Sequence, residues 1–438
     1  MKRAHRRQNT LSQFIKGLVC RECGATYPQK LIHACENCFA PLEVDYDLDK
    51  IKVTREQISQ RPKTIWRYRE LLPLDNFESA IDLGTGLSTL HKANNLGAQL
   101  GLNQLYIKDD TVNPTNSFKD RPASVAVSKA REFGATAVGC PSTGNLAASV
   151  AAHAAKAGLP CYIFIPSNTE LTKVLQASIY GANIIAVNGT YDEANRLAAQ
   201  VAEHYNWAFA NINLRSYYVE GSKTLAFEIC EQLGWETPDT MIIPLGSGAL
   251  FCAIHRGLEQ FKKVGLIEDK PTRLIGAQAQ GCAPIADSFK AGLDDVIPIE
   301  HPDTIAKSLA IGDPGDGYYV LKYAAETGGT VESVSDDEIL DAIKLVAEKE
   351  GVFTEPAGGV TIAVLKKLAA KNYFKPDEKV VCAVTGSGFK ATDTIQKALY
   401  KPIIIEPSLE AFKELQGEYQ STQTPQAAVV QTTQQEKD

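Results

Sequence analysis

From residue 105 onward, short runs rich in β-branched residues alternate with longer alanine-rich stretches. Strand-like runs fall at 105–108, 136–139, 161–165, 183–187, 208–212, 240–244, 273–277 and 380–384. Stretches with helical spacing fall between them, at 117–132, 145–157, 191–204, 220–233, 336–350 and 359–370. Strand, helix, strand at this interval requires a crossover connection, and such crossovers are right-handed around buried parallel sheet. The fold class is therefore α/β. One sheet would be too large for this many units, so two doubly wound domains are expected, with a site between them. Loops that carry function in such sheets lie at the carboxyl ends of the strands.

Four loops carry the candidate chemistry, and the three that bear glycine stand in positions of that kind. Asn113-Pro114-Thr115-Asn116-Ser117-Phe118-Lys119-Asp120-Arg121 is a polar turn that delivers one lysine to a helix start. Pro114 ends what precedes it, and Ser117 is a natural N-cap, which puts Lys119 in the first turn of a helix. The positive end of the helix dipole there eases loss of the amine proton. Cys140-Pro141-Ser142-Thr143-Gly144-Asn145-Leu146 opens an alanine-rich helix. Pro244-Leu245-Gly246-Ser247-Gly248-Ala249-Leu250 joins the apolar run at 241–243 to another. Thr385-Gly386-Ser387-Gly388-Phe389-Lys390 follows the run at 380–384.

In this order the four loops resemble the pyridoxal-phosphate enzymes of the tryptophan synthase β-like fold (fold type II), and more narrowly the threonine synthases. The resemblance spans about residues 80 to 400. It implies a lyase that converts O-phosphohomoserine and water to L-threonine and phosphate. It implies that Lys119 carries the cofactor covalently and moves protons in catalysis. Gly246, Ser247, Gly248, Ala249 and Leu250 would cradle the cofactor phosphate, a role that glycine amides and a helix N-terminus suit. Asn145 matches the residue on the ring 3-oxygen. Thr385 matches the position facing the ring nitrogen, where a neutral hydroxyl leaves that nitrogen unprotonated. The segment Glu355-Pro356-Ala357-Gly358-Gly359 resembles one that borders such sites, without an assigned chemical role.

Ser142 and Thr143 offer hydroxyls and helix-start amides to a substrate carboxylate or phosphate. Arg215 is either a bidentate phosphate clamp or one half of a surface ion pair. Two departures from the threonine synthase pattern bear on the substrate: Leu146 stands where a threonine often follows the asparagine, and Asn211-Ile212-Asn213-Leu214-Arg215 replaces Ser-Val-Asn-Pro. A cysteate synthase and a serine/threonine dehydratase would share the cofactor residues and differ only in the pocket.

Cys20-x2-Cys23 and Cys35-x2-Cys38, eleven residues apart, match a zinc ribbon. Four thiolates complete a tetrahedral site, which makes the metal structural. His33, between the pairs, reads as a loop residue. A ribbon also raises a different possibility, a nucleic-acid-binding protein, but residues 20–49 hold only Arg21 and Lys30 as cations and lack a basic stripe. The net charge of −7 points the same way. Cys140, Cys161, Cys230, Cys252, Cys282 and Cys382 read as small core residues.

The expected organisation is a basic flexible tail over 1–19, with Lys2, Arg3, Arg6, Arg7 and Lys16, followed by the ribbon at 20–45. A large domain comprises 46–118 and 236–405, with a small domain at 119–235 inserted, and a largely disordered extension, rich in Gln and Thr from Tyr419, occupies 406–438. No segment has the length and apolarity of a membrane span; the charge-free 134–155 is broken by Pro141. Ten cysteines in 438 residues are no disulfide scaffold, so the expected location is the cytoplasm. The family resemblance adds a homodimer acting on a small-molecule substrate, with no nucleic-acid or membrane partner.

Overall fold

Thirteen strands make three sheets among the described residues. The computed structural model describes residues 11–32, 34–170, 173–396 and 402–423. The N-terminal sheet joins β1 (Ile15–Cys20), β2 (Thr26–Tyr27) and β3 (Leu42–Tyr46), all antiparallel, in the order β2-β1-β3. Strand β1 thus begins inside the stretch expected as a tail, and Lys16 lies on it. Lys2, Arg3, Arg6, Arg7 and His33 fall outside the described residues.

The large sheet has six strands: β4 (Thr89–Lys92), β5 (Gln104–Asp109), β10 (Thr240–Pro244), β11 (Arg273–Ala279), β12 (Thr330–Val334) and β13 (Lys379–Val384). Their order is β12-β11-β10-β13-β5-β4. The small sheet orders β6 (Val138–Pro141), β7 (Cys161–Pro166), β8 (Asn183–Val187) and β9 (Ala208–Phe209) as β8-β7-β6-β9, all parallel. The large sheet is mixed, because β4 runs antiparallel to β5 along its edge. Neither β4 nor β12 is foreseen by the sequence. Each is partly exposed and lacks the continuous apolar run of the central strands.

Helices pack against the central strands: α1 (Asp120–Glu132), α2 (Gly144–Ala157), α3 (Tyr191–Tyr205), α4 (Arg215–Ser222), α5 (Thr224–Gln232), α6 (Ala249–Lys263), α7 (Gly317–Glu326), α8 (Asp336–Glu350) and α9 (Pro356–Ala370) are the principal ones. Helix α8 shows why such segments start and stop where they do. Ser335 and Glu338 form a reciprocal capping box, three acids fill the first turn, and Gly351 ends the helix in the left-handed region at φ 70°. The expected helix over 220–233 is instead two, α4 and α5, meeting at Lys223. Helix α5 contributes Leu225, Phe227 and Ile229 to the core of the large sheet, although the sequence places it in the small domain. Helix α1 starts at Asp120 rather than at 117, because Asn116 takes the left-handed conformation (φ 62°) and Asn116 and Ser117 bond across to 386–387.

Two apolar clusters lie about the large sheet. A third joins the small sheet to the ribbon, with Leu18, Leu42 and Val44 packed among residues of the same cluster as Ala126, Val150 and Tyr217. A separate C-terminal unit contains the helix Leu409–Gln423. Residues 424–438, the last 15 of the expected extension over 406–438, lie outside the described residues. Among the described residues, no helix is long and apolar enough to cross a membrane.

Candidate active site and the four-cysteine cluster

The lysine loop and the threonine loop are laced together. Phe118 donates its N–H to the carbonyl of Thr385 at 2.8 Å, and Ser387 donates to the carbonyl of Asn116 at 3.0 Å. Ser117 and Gly386 face each other as an isolated antiparallel bridge. Two segments far apart in sequence therefore hold Lys119 and Thr385 beside one another, at the ends of parallel strands β5 and β13. Lys119 occupies the N-cap of α1 with helical dihedrals, and its N–H donates to Ser117 Oγ at 3.3 Å. Its Nζ donates to the hydroxyl of Tyr218 at 3.2 Å and lies 4.6 Å from the centre of the Phe118 ring.

A buried charge network fixes the start of α1. Arg121, fully buried, donates to both oxygens of Asp110 at 2.6 and 2.7 Å and to both oxygens of Glu228 at 2.5 and 2.7 Å. Lys108 donates to Glu228 at 2.8 Å. Burial alone would raise the Glu228 carboxyl, yet the Arg121 guanidinium and the Lys108 ammonium hold it down to about 2.

Asn145, on the first turn of α2, donates to both carboxylate oxygens of Glu355 at 2.9 and 3.0 Å. Glu355 N–H in turn donates to the carbonyl of Gly386 at 2.9 Å. A Cβ at Gly386 would lie 2.4 Å from a carboxylate oxygen of Glu355, so that side chain would have to shift to admit one. Burial pushes the Glu355 carboxyl above the ordinary range, opposed by the Asn145 hydrogen bond and by Lys390 and Lys119.

Gly246, Ser247 and Gly248 form the turn from β10 into α6, which begins Ala249-Leu250. Gly248 sits at φ 91°, and a Cβ there would lie 2.7 Å from Val320 and 3.1 Å from Asp316. Ala249 N–H donates to Ser247 Oγ at 3.4 Å. The first amides of any helix lack intrahelical acceptors, and those of Gly248 and Leu250 find no protein acceptor among the described residues. The turn is thus a set of donors at the positive end of a four-turn helix.

Arg215 opens α4 and donates to Asp316 at 2.5 Å; Asp316 is nearly buried, so this is no simple surface pair. Ser142 donates its hydroxyl to its neighbour's carbonyl at 3.2 Å, and Thr143 is the N-cap of α2 without a side-chain capping bond. Neither hydroxyl makes a hydrogen bond to another of the site side chains among the described residues. Tyr218 and Asp316 were not singled out from the sequence. The available signal for Tyr218 was its place three residues after Arg215, on the same face of a helix.

The domain-level comparison accords with this geometry. Residues 81–386 match the family described as pyridoxal-phosphate dependent enzyme. The chain belongs to that family. It is 40% identical to a threonine synthase of Methanocaldococcus jannaschii over 90% of this chain and 98% of that protein. It is 36% identical to a threonine synthase of Methanosarcina acetivorans over 91% of this chain and 98% of that one. A solved threonine deaminase isoform 2 from Solanum lycopersicum superposes with a TM-score of 0.59 and 24% identity, covering 72% of this chain and 88% of that chain, which shows the shared fold. The protein is a pyridoxal-phosphate dependent lyase of fold type II.

The residues present fit that cofactor. An amine at Lys119, open amides at Gly248 and Leu250, and the Asn145 amide are the complementary groups that pyridoxal phosphate needs.

In the N-terminal sheet, the Sγ atoms of Cys20, Cys23, Cys35 and Cys38 lie within 4.8 Å of one another. Cys20 and Cys38 approach to 3.4 Å, and Cys23 and Cys35 to 3.6 Å. A tetrahedron with Zn–S bonds of about 2.3 Å has S–S edges of roughly 3.8 Å, so the cluster is close to the required size. Its two knuckles repeat one geometry. Gly24 and Phe39, each four residues after the first cysteine of a pair, take left-handed φ of 71° and 61° and donate back to Cys20 and Cys35.

Proposed function

We propose that this chain is a threonine synthase, forming L-threonine and phosphate from O-phosphohomoserine and water. The observation that carries the reading is its similarity to threonine synthases along nearly their whole length. Bound pyridoxal phosphate supplies an electron sink for carbanions at the substrate's α and β carbons. Lys119 Nζ holds the cofactor, and once displaced it takes and returns protons at those carbons. Tyr218, hydrogen-bonded to Nζ, keeps the amine pointed into the site. The amides from Gly246 to Leu250 hold the cofactor phosphate, Asn145 binds the ring 3-oxygen in place of its present contact with Glu355, and Thr385 meets the ring nitrogen.

Arg215 lies on α4 three residues before Tyr218, a rise of about 4.5 Å along the helix. A substrate with its α carbon at Lys119 and its phosphate a few bonds away spans that interval. Arg215 therefore takes the substrate phosphate, with Ser142 and Thr143 on the α-carboxylate. Breaking the Cγ–O bond releases phosphate, and water then adds at the β carbon.

The four cysteines bind one structural zinc, and the segment 119–235, which contains the whole small sheet, acts as the smaller domain. The enzyme works in the cytoplasm without nucleic-acid or membrane partners, a reading supported by its acidic net charge and free cysteines, and as a homodimer, which rests on the family resemblance alone. Incubation with O-phosphohomoserine tests the assignment: threonine and phosphate should appear in equal amounts. Deamination of threonine without turnover of O-phosphohomoserine would assign a dehydratase instead.

A further inference from the structure

Arg21 follows Cys20 directly and leaves the ribbon for the neighbourhood of the phosphate turn. Its side chain is only 13% exposed. It donates from Nε to Glu43 at 2.8 Å, stacks 4.1 Å from the ring centre of Tyr319, and reaches Asp316 Oδ1 at 3.3 Å. The next residue, Glu22, accepts the Tyr319 hydroxyl at 2.7 Å. The ribbon is thus docked on α7 by consecutive side chains.

Asp316 is where this docking meets the candidate site. Its other oxygen, Oδ2, takes Arg215 at 2.5 Å, and its N–H donates to the carbonyl of Ser247 at 2.9 Å. Two arginines therefore share one nearly buried carboxylate beside the Gly246–Gly248 turn. A carboxylate in this position repels an incoming phosphate and competes with it for Arg215. The more of its charge Arg21 neutralises, the less it does either.

We propose that Arg21 is a positioning residue for phosphate binding: by holding Asp316 from the ribbon side, it leaves Arg215 available to the phosphate group of a phosphomonoester substrate. The ribbon then serves the active site directly rather than only packing against it. This rests on the reading of Arg215 as the substrate-phosphate ligand, and the test keeps the two apart.

The probe is inorganic phosphate, titrated calorimetrically into the holoenzyme. Arg21→Gln should weaken phosphate binding about tenfold, the loss of one charge-assisted contact. It should raise KM for O-phosphohomoserine similarly while leaving kcat and the cofactor's visible absorbance near wild type. Arg21→Lys should recover part of the loss. Asp316→Asn should do the opposite and tighten phosphate binding, and the double variant should fall between the two. Structural damage cannot produce effects of opposite sign, and Asp316→Asn still decides the matter if Arg21→Gln fails to fold. Unchanged phosphate affinity in Arg21→Gln, or weakened affinity in Asp316→Asn, overturns the proposal. Opposite shifts in an enzyme that makes no threonine would leave the proposal standing and remove the substrate assignment.

Discussion

Asn145 and Glu355 meet across the candidate site, the amide of one donating to both oxygens of the other at 2.9 and 3.0 Å. Glu355 is tied by its own N–H to Gly386, in the loop that also binds the backbone beside Lys119. This contact is close to the centre of the arrangement, because a methyl at Gly386 would strike the Glu355 carboxylate. Gly386→Ala should therefore displace Glu355, disturb Asn145 and loosen the lysine loop. The expected result is a cofactor dissociation constant raised at least tenfold, read by titrating pyridoxal phosphate into apoprotein. Wild-type affinity in that variant would show that the loop yields without cost.

Lys119→Ala should remove the visible absorbance of the lysine-bound cofactor and reduce turnover by several orders of magnitude, since attachment and proton transfer are both lost. Tyr218→Phe should be milder. It deletes one hydrogen bond to Nζ, about 0.5–1.5 kcal/mol, or roughly two- to tenfold in kcat. The cofactor should stay bound. Steady-state rates and absorbance of the two variants separate these outcomes.

The network behind α1 sets a pH dependence. Glu228 is held at about 2 in the fold, against an ordinary value of 4.5. A lowered carboxyl contributes stability that is present above pH 4.5 and is lost as pH falls toward 2. Glu228→Gln should flatten acid unfolding in that window. At neutral pH it should cost about 3–5 kcal/mol, because buried Lys108 loses its carboxylate partner and buried Arg121 keeps only Asp110. Chemical denaturation at pH 7 and at pH 3.5 checks both statements.

The sequence alone made the βα alternation, the four loops and the cysteine spacing legible, because each depends on local residue order. The long apolar runs of β10 and β13 announce buried central strands, and the helical spacing at 336–350 announces α8. Contacts that depend on the fold's closure were not legible. The Phe118–Thr385 hydrogen bond joins residues brought together only when β5 and β13 pair. Edge strand β4 lacks the burial that would mark it. Asp316, in an ordinary loop context, becomes notable only once Arg21 and Arg215 converge on it.

The cysteine cluster predicts about one zinc per chain in protein purified under reducing conditions. Cys35→Ser should lower that content and destabilise the N-terminal sheet, because metal binding energy is folding energy in such modules. Metal analysis by mass spectrometry decides it; protein free of zinc would contradict the assignment.

Turnover of O-phosphohomoserine in water enriched in oxygen-18 tests the central claim most directly. Cleavage of the Cγ–O bond followed by addition of water at the β carbon puts the label in the hydroxyl of threonine and leaves the released phosphate unlabelled. Label in the phosphate, with homoserine as the organic product, would mean hydrolysis at phosphorus and would contradict the account.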